Sequence, residues 1–67
     1  MSAGYYKIHL AKDGQTYFTL HAANGKVIAT SEMYRKERSA MKGIRSVQTN
    51  ASFDDVRYAK GHPLYVK

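Results

Sequence analysis

The sequence has no cysteine and no tryptophan. Without cysteine, neither a disulfide framework nor a thiolate zinc site can be built. Acid is scarce as well: five Asp plus Glu stand against eleven Lys plus Arg, a formal net charge of +6. No apolar run approaches the ~20 residues that a membrane-spanning helix needs, so no membrane partner is expected. The first residues, Met1-Ser2-Ala3-Gly4-Tyr5-Tyr6-Lys7, hold no apolar h-region. Nothing there points to secretion, and a cytoplasmic location is expected. Proline occurs once, yet six Tyr, two Phe and alternating apolar residues supply core material, which argues against disorder.

What is there is short. Sixty-seven residues fit one domain, spanning 1–67, with the patterned part over 5–51 and a tail over 53–67. A chain of this size buries only ~60% of the surface that its unfolded form exposes. Such cores rarely supply more than ~3–5 kcal/mol without disulfides, a metal or oligomerisation. With the first two absent, a homodimer is the structural expectation before any motif is read.

Tyr5 to Ala11 alternates, with Tyr6, Ile8 and Leu10 on one face and Tyr5, Lys7 and His9 on the other. Gln15 to Ala22 alternates again, with Phe18 and Leu20 opposed to Tyr17, Thr19 and His21. Period two reads as half-buried strands. A two-residue turn at Asp13-Gly14 would set Ile8 opposite Thr19 and mix the faces. A three-residue loop, Lys12-Asp13-Gly14 with Gly14 left-handed, sets Ile8 opposite Phe18 and Tyr6 opposite Leu20. Because a one-residue slip turns the core face into water, the second register is preferred. Ala23-Asn24-Gly25 repeats the device before Lys26-Val27-Ile28-Ala29-Thr30. There a three-residue loop places Ile28 opposite Leu20, whereas a two-residue Asn24-Gly25 turn brings Val27 inward. Both give a meander.

Ser31-Glu32-Met33-Tyr34 breaks the alternation, and from about Glu37 the period becomes helical. Ala40, Gly43, Ile44, Val47 and Ala51 cluster within an arc of ~100° on a helical wheel. Gly43 costs ~1 kcal/mol against Ala inside a helix, so its place on the apolar stripe points to a close approach of helix and sheet. Asn50 is expected to close the helix in a left-handed cap. In the tail, Val56 and Tyr58 suit one face of a short strand. Lys60-Gly61-His62-Pro63 reads as a turn, and Leu64-Tyr65-Val66 as a second apolar piece. The reading is an α+β fold, β-β-β-α-β: an antiparallel three-stranded meander, one helix and one C-terminal strand.

Several of these segments resemble the YegP-like family of small, uncharacterised, mostly bacterial proteins. The likeness rests on Tyr17-Phe18-Thr19-Leu20-His21-Ala22-Ala23-Asn24-Gly25, on Ile28-Ala29-Thr30-Ser31-Glu32-Met33-Tyr34, and on Gly43-Ile44-Arg45-Ser46-Val47 with Asn50-Ala51. It covers Gly14 through Ala51, somewhat more than half of the chain, without gaps. Near position 36 the family usually has a capping Ser. Lys36 cannot cap that way, which leaves a later helix start or Ser39 as the cap. The resemblance implies a β3-α-β unit, present in tandem in some members. It further implies that one-unit members are strand-swapped homodimers with a continuous sheet, and that Val56 and Tyr58 form the dimer. It carries no activity, cofactor or catalytic residue.

The residues themselves offer little chemistry. His9 falls opposite Tyr17 and His21 opposite Tyr5, four residues apart along the hairpin, or ~13 Å. One ion does not span that distance with zinc–nitrogen bonds of ~2 Å, so no metal is expected and both histidines read as solvated. Asp13-Gly14 and Asn24-Gly25 are turn chemistry, because neither opens a helix. Ser31-Glu32-x-Tyr34 reads as a corner that fixes the start of the helix, with a polar pocket as the competing view. Charge is the most suggestive feature. Five basic residues and one acid lie between Arg35 and Arg45, and Arg38, Lys42 and Arg45 share an exposed helix face. Two uses follow. One is a small non-enzymatic homodimeric module, without cofactor, engaged in protein interaction. The other is a nucleic-acid-binding module, or one for an acidic protein, in which Arg38, Lys42, Arg45 and Lys7 meet anions while Tyr5 and Tyr17 stack on bases.

Overall fold

A computed structural model of the chain describes residues 3–52 and 54–65. It contains strands β1 (Gly4–Leu10), β2 (Thr16–Ala22) and β3 (Val27–Thr30), then helix α1 (Glu37–Asn50). The strands form one antiparallel sheet in the order β1-β2-β3.

The first hairpin has the expected register, Ile8 with Phe18 and Tyr6 with Leu20. Its loop is Lys12-Asp13-Gly14, closed by the Ala11 N–H donating to Gln15 C=O at 2.8 Å. Gly14 is left-handed at φ 85°, a conformation that any side chain would strain. The Asp13 carboxylate accepts the Gln15 N–H at 3.0 Å, holding the turn from inside.

The second hairpin repeats this construction with Asn24 in the place of Asp13. Gly25 is at φ 89°, and Asn24 Oδ1 accepts the Lys26 N–H at 3.0 Å. Here each of the two sequence alternatives describes one half. The turn closes over three residues and pairs His21 with Val27, but a bulge follows, and Leu20 then pairs with Ala29. Ile28 is the extra residue. The expected pairing of Ile28 with Leu20 is therefore corrected: Ala29 pairs with Leu20 instead, and all of β3, Ile28 included, is exposed.

Past β3 the chain leaves the sheet and returns. Thr16 and Tyr34 exchange two backbone hydrogen bonds of 2.7 Å. Between these points, Ser31 Oγ accepts the Phe18 N–H at 2.9 Å and donates to Glu32 C=O at 2.8 Å. A side chain thus fills the ladder position that the departing backbone vacates.

The helix starts at Glu37 with Lys36 as an extended N-cap that offers no side-chain bond, so neither a later start nor a Ser39 cap occurs. Asn50 stays helical and donates to Ser46 C=O at 2.8 Å. The C-cap, Ala51, is right-handed, so the left-handed Asn50 cap is not formed. Ala40 and Ile44 are buried against Phe18, with Tyr6, Tyr34 and Val47 packed around them. Gly43 fits because a Cβ there would collide with the Tyr34 hydroxyl and lie 3.1 Å from Phe18 Cε2. The helix covers only the middle of the sheet, and Leu10, at the end of the same face, remains 78% exposed.

No C-terminal strand is present among the described residues. Val56 and Tyr58 lie in irregular backbone. After them come a turn with left-handed Gly61 and a Tyr58–His62 ring stack at 4.4 Å. A strand requires pairing with a neighbouring edge, and the tail pairs with neither free edge of the sheet, β1 or β3. Of the tail pieces read from sequence, Phe53, Val66 and Lys67 lie outside the described residues, as do Met1 and Ser2 at the other end.

Candidate functional site

The sheet face away from the helix carries the densest set of polar and aromatic groups. Alternation brings Tyr5, Lys7 and His9 of β1 to the same face as Tyr17, Thr19 and His21 of β2. Cross-strand pairing then sets Tyr5 beside His21, Lys7 beside Thr19, and His9 beside Tyr17. The outer two pairs stack, Tyr5 on His21 at 4.7 Å between ring centres and His9 on Tyr17 at 4.6 Å.

Thr19 joins them. Its hydroxyl lies 2.8 Å from His9 Nε2 and 2.7 Å from His21 Nε2, while His21 Nδ1 lies 3.0 Å from Gly25 C=O. The directions follow from what each atom can do. A carbonyl only accepts, so His21 Nδ1 carries a proton. With both rings neutral, His21 Nε2 must accept the Thr19 hydroxyl proton, and the Thr19 oxygen accepts the His9 Nε2 proton. His21 and Thr19 are 8% and 7% exposed. The solvated-histidine reading is thereby corrected. The histidines lie far apart as backbone positions, yet His9 from across the strands and His21 from along β2 both reach the one Thr19 oxygen.

A hydroxyl, an imidazole and an orienting acceptor in series resemble an activated nucleophile. The surroundings do not fit that use. Thr19 is buried in a sheet, and its oxygen already serves His9. The network satisfies buried polar groups, as no buried side-chain nitrogen or oxygen among the described residues lacks a partner. Likewise, no group of three or more His, Asp or Glu among the described residues could hold a metal ion. Sequence reasoning placed Thr19 on this face but overlooked it. The signal was its position two residues before His21 and diagonal to His9.

The six candidate anion-binding residues fall on two surfaces. Tyr5, Lys7 and Tyr17 are together on the open sheet face. Arg38, Lys42 and Arg45 are exposed on the helix, which packs on the other face of the sheet. Each of the two tyrosines also has one ring face against a histidine. A third feature is an open cleft of about 450 Å³ in the tail, lined by Val56, Arg57, Tyr58, Leu64 and Tyr65. Beside it, Arg57 pairs with Asp55 at 2.9 Å.

Residues 11–57 match the family described as Domain of unknown function (DUF1508). The chain belongs to that family. A UPF0339 protein of Acinetobacter baylyi is 53% identical over 58 residues, covering 87% of this chain and 51% of its own length. The UPF0339 protein YegP of Yersinia pestis is 51% identical over 70 residues, 98% of this chain and 62% of its own. The chain thus spans little more than half the length of these relatives. A solution structure of a protein from Haloferax volcanii superposes with a TM-score of 0.77 at 28% identity, covering 88% of this chain and all of that one. The YegP-like resemblance is thus established, and with it the α+β arrangement of three antiparallel strands and a helix. The DUF1508 match spans both hairpin glycines after Ala11, the Ser31–Tyr34 corner and Gly43, the positions to which the structure gives definite backbone and packing roles. No helix among the described residues is long and apolar enough to cross a membrane.

Proposed function

We propose that the chain acts as a non-enzymatic homodimeric module, in which a second copy completes the core and the C-terminal segments with Val56 and Tyr58 are exchanged. One quantity carries this reading. The chain exposes 5992 Å² of surface, whereas a compact monomer of this mass exposes roughly 4,300 Å². The excess, roughly 1,700 Å² per chain, is of the size that an obligate dimer interface takes from each partner. It is apolar in the right places: Leu10, Ile28, Val56 and Leu64 are all more than half exposed.

Assembly and protein interaction are the role assigned, without turnover of a substrate. Light scattering at micromolar concentration tests it. The expected particle has about twice the 7.6 kDa of the chain, and its melting temperature rises with protomer concentration. Val56→Asp with Tyr58→Asp is expected to shift the particle to one chain. A 7.6 kDa species with a cooperative, concentration-independent melt would refute the proposal.

A further inference from the structure

The charge on the helix is placed where it does not help the helix. Arg35, Lys36 and Arg38 stand at its N-terminal end, where cations oppose the macrodipole. The last turn, where they would be favourable, has no basic residue. Arg38 and Lys42 are four apart, and Lys42 and Arg45 three apart. Each is a like-charge pair of neighbouring side chains, destabilising by a few tenths of a kcal/mol. None of these five basic side chains forms an ion pair among the described residues, where the ion pair present is Arg57 with Asp55. The buried stripe of Ala40 and Ile44 lies on the sheet, so Arg38, Lys42 and Arg45 form an exposed, unneutralised row. At 1.5 Å per residue the row is about 10 Å long.

From this pattern we propose that the outer face of α1 binds the phosphate backbone of duplex nucleic acid without reading its sequence. A duplex carries one charge per ~1.7 Å of axis, so the row spans several phosphates and three cations can engage three of them. Contacts of this type fix position and carry no base information. The tyrosines take no part, because the body of the sheet separates them from the helix face and their rings are stacked on His9 and His21. This inference is independent of the dimer: it requires only the helix, which a single chain forms.

The test uses the full chain, a fluorescein-labelled random-sequence duplex of 20 base pairs, and fluorescence anisotropy. With three phosphates engaged, affinity is expected to fall roughly 40-fold between 50 and 200 mM NaCl. Arg38→Gln with Lys42→Gln and Arg45→Gln removes the binding. The charge-matched variant Lys12→Gln with Lys26→Gln and Lys60→Gln, all exposed positions outside α1, keeps it within about threefold. Polyglutamate at equal charge competes poorly with unlabelled duplex for the labelled probe's place. The proposal is overturned if no binding occurs at 50 mM NaCl, or if both triple variants lose affinity equally. It is also overturned if polyglutamate itself binds the chain as tightly as duplex does, which assigns the face to an acidic protein. Circular dichroism of the helix variant guards against loss of fold, and its melt is expected to be no lower than that of the parent.

Discussion

Replacing Gly43 by Ala sets two effects of opposite sign against each other. Helix propensity alone favours Ala by about 1 kcal/mol at an interior position. The new methyl group, however, would collide with the Tyr34 hydroxyl and stand 3.0 Å from its Cζ and 3.1 Å from Phe18 Cε2. Tyr34 has little room to retreat, because its backbone is pinned to Thr16 by two 2.7 Å hydrogen bonds. Phe18 is 5% exposed and fixed in the core. Overpacking of this kind costs about 1–3 kcal/mol, and with neither neighbour free the upper part of that range applies. Gly43→Ala is therefore expected to destabilise by about 1–2 kcal/mol net, a fall of about 5–15 °C in Tm for a domain of this size. Tyr34→Phe removes the atom that collides first. In that background Gly43→Ala should cost little, giving a coupling of about 1 kcal/mol in the double-mutant cycle. The assay is thermal and urea melting by circular dichroism at one fixed protomer concentration. A Tm raised by Gly43→Ala in the parent, or the same loss in both backgrounds, would refute the argument that Tyr34 sets the helix-to-sheet distance.

Three further outcomes are expected. Thr19→Val leaves the buried Nε2 of His21 without its partner and should cost about 1–3 kcal/mol, whereas Thr19→Ser keeps the hydroxyl and should cost less than half of that; equal losses in urea melts would show that the methyl group, not the hydroxyl, matters. In the parent, nitrogen-15 NMR of the histidine rings should show His21 protonated at Nδ1 under conditions where it is neutral, as required by the bond to Gly25 C=O. Ser31→Ala should cost about 1–3 kcal/mol by orphaning the Phe18 N–H, while Glu32→Gln should stay within about 0.5 kcal/mol as an exposed change; a large loss at Glu32 would return the corner's stability to the carboxylate.

Much of the sheet was legible because its signals agree. In the first hairpin a single loop length keeps Tyr6, Ile8, Phe18 and Leu20 on one face, and Gly14 supplies the left-handed residue that the loop needs. In the second, each alternative described one half, since nothing in Lys26 to Thr30 announces that Ile28 will be skipped. The helical stripe was legible down to the meaning of Gly43, though not the object against it: Tyr34 sits in a segment without periodicity. The helix begins at Glu37, where its periodicity begins, but its caps differ from expectation: Lys36 caps it without a side-chain bond, and Asn50 stays helical with a right-handed Ala51 after it. The histidine face was missed because spacing along strands measures backbone positions, and long side chains on diagonal positions close a gap that the backbone keeps open. The tail was misread for a different reason. Val56, 84% exposed, has a strand-forming sequence but pairs with neither edge of the sheet, and a strand is a property of two segments.

Both hairpins turn over three residues, and this brevity bears on how fast the sheet can pair. Loops so short close in well under a microsecond, and hairpins form in about 1–10 µs. The sheet pairs only neighbours in sequence, Gly4 with Ala22 being the widest link in the first hairpin. Within the chain each strand pairing is thus a local event, and Phe18 of β2 is the surface on which Ile44 of the helix rests. Docking of a second molecule follows a different law, because its rate depends on concentration.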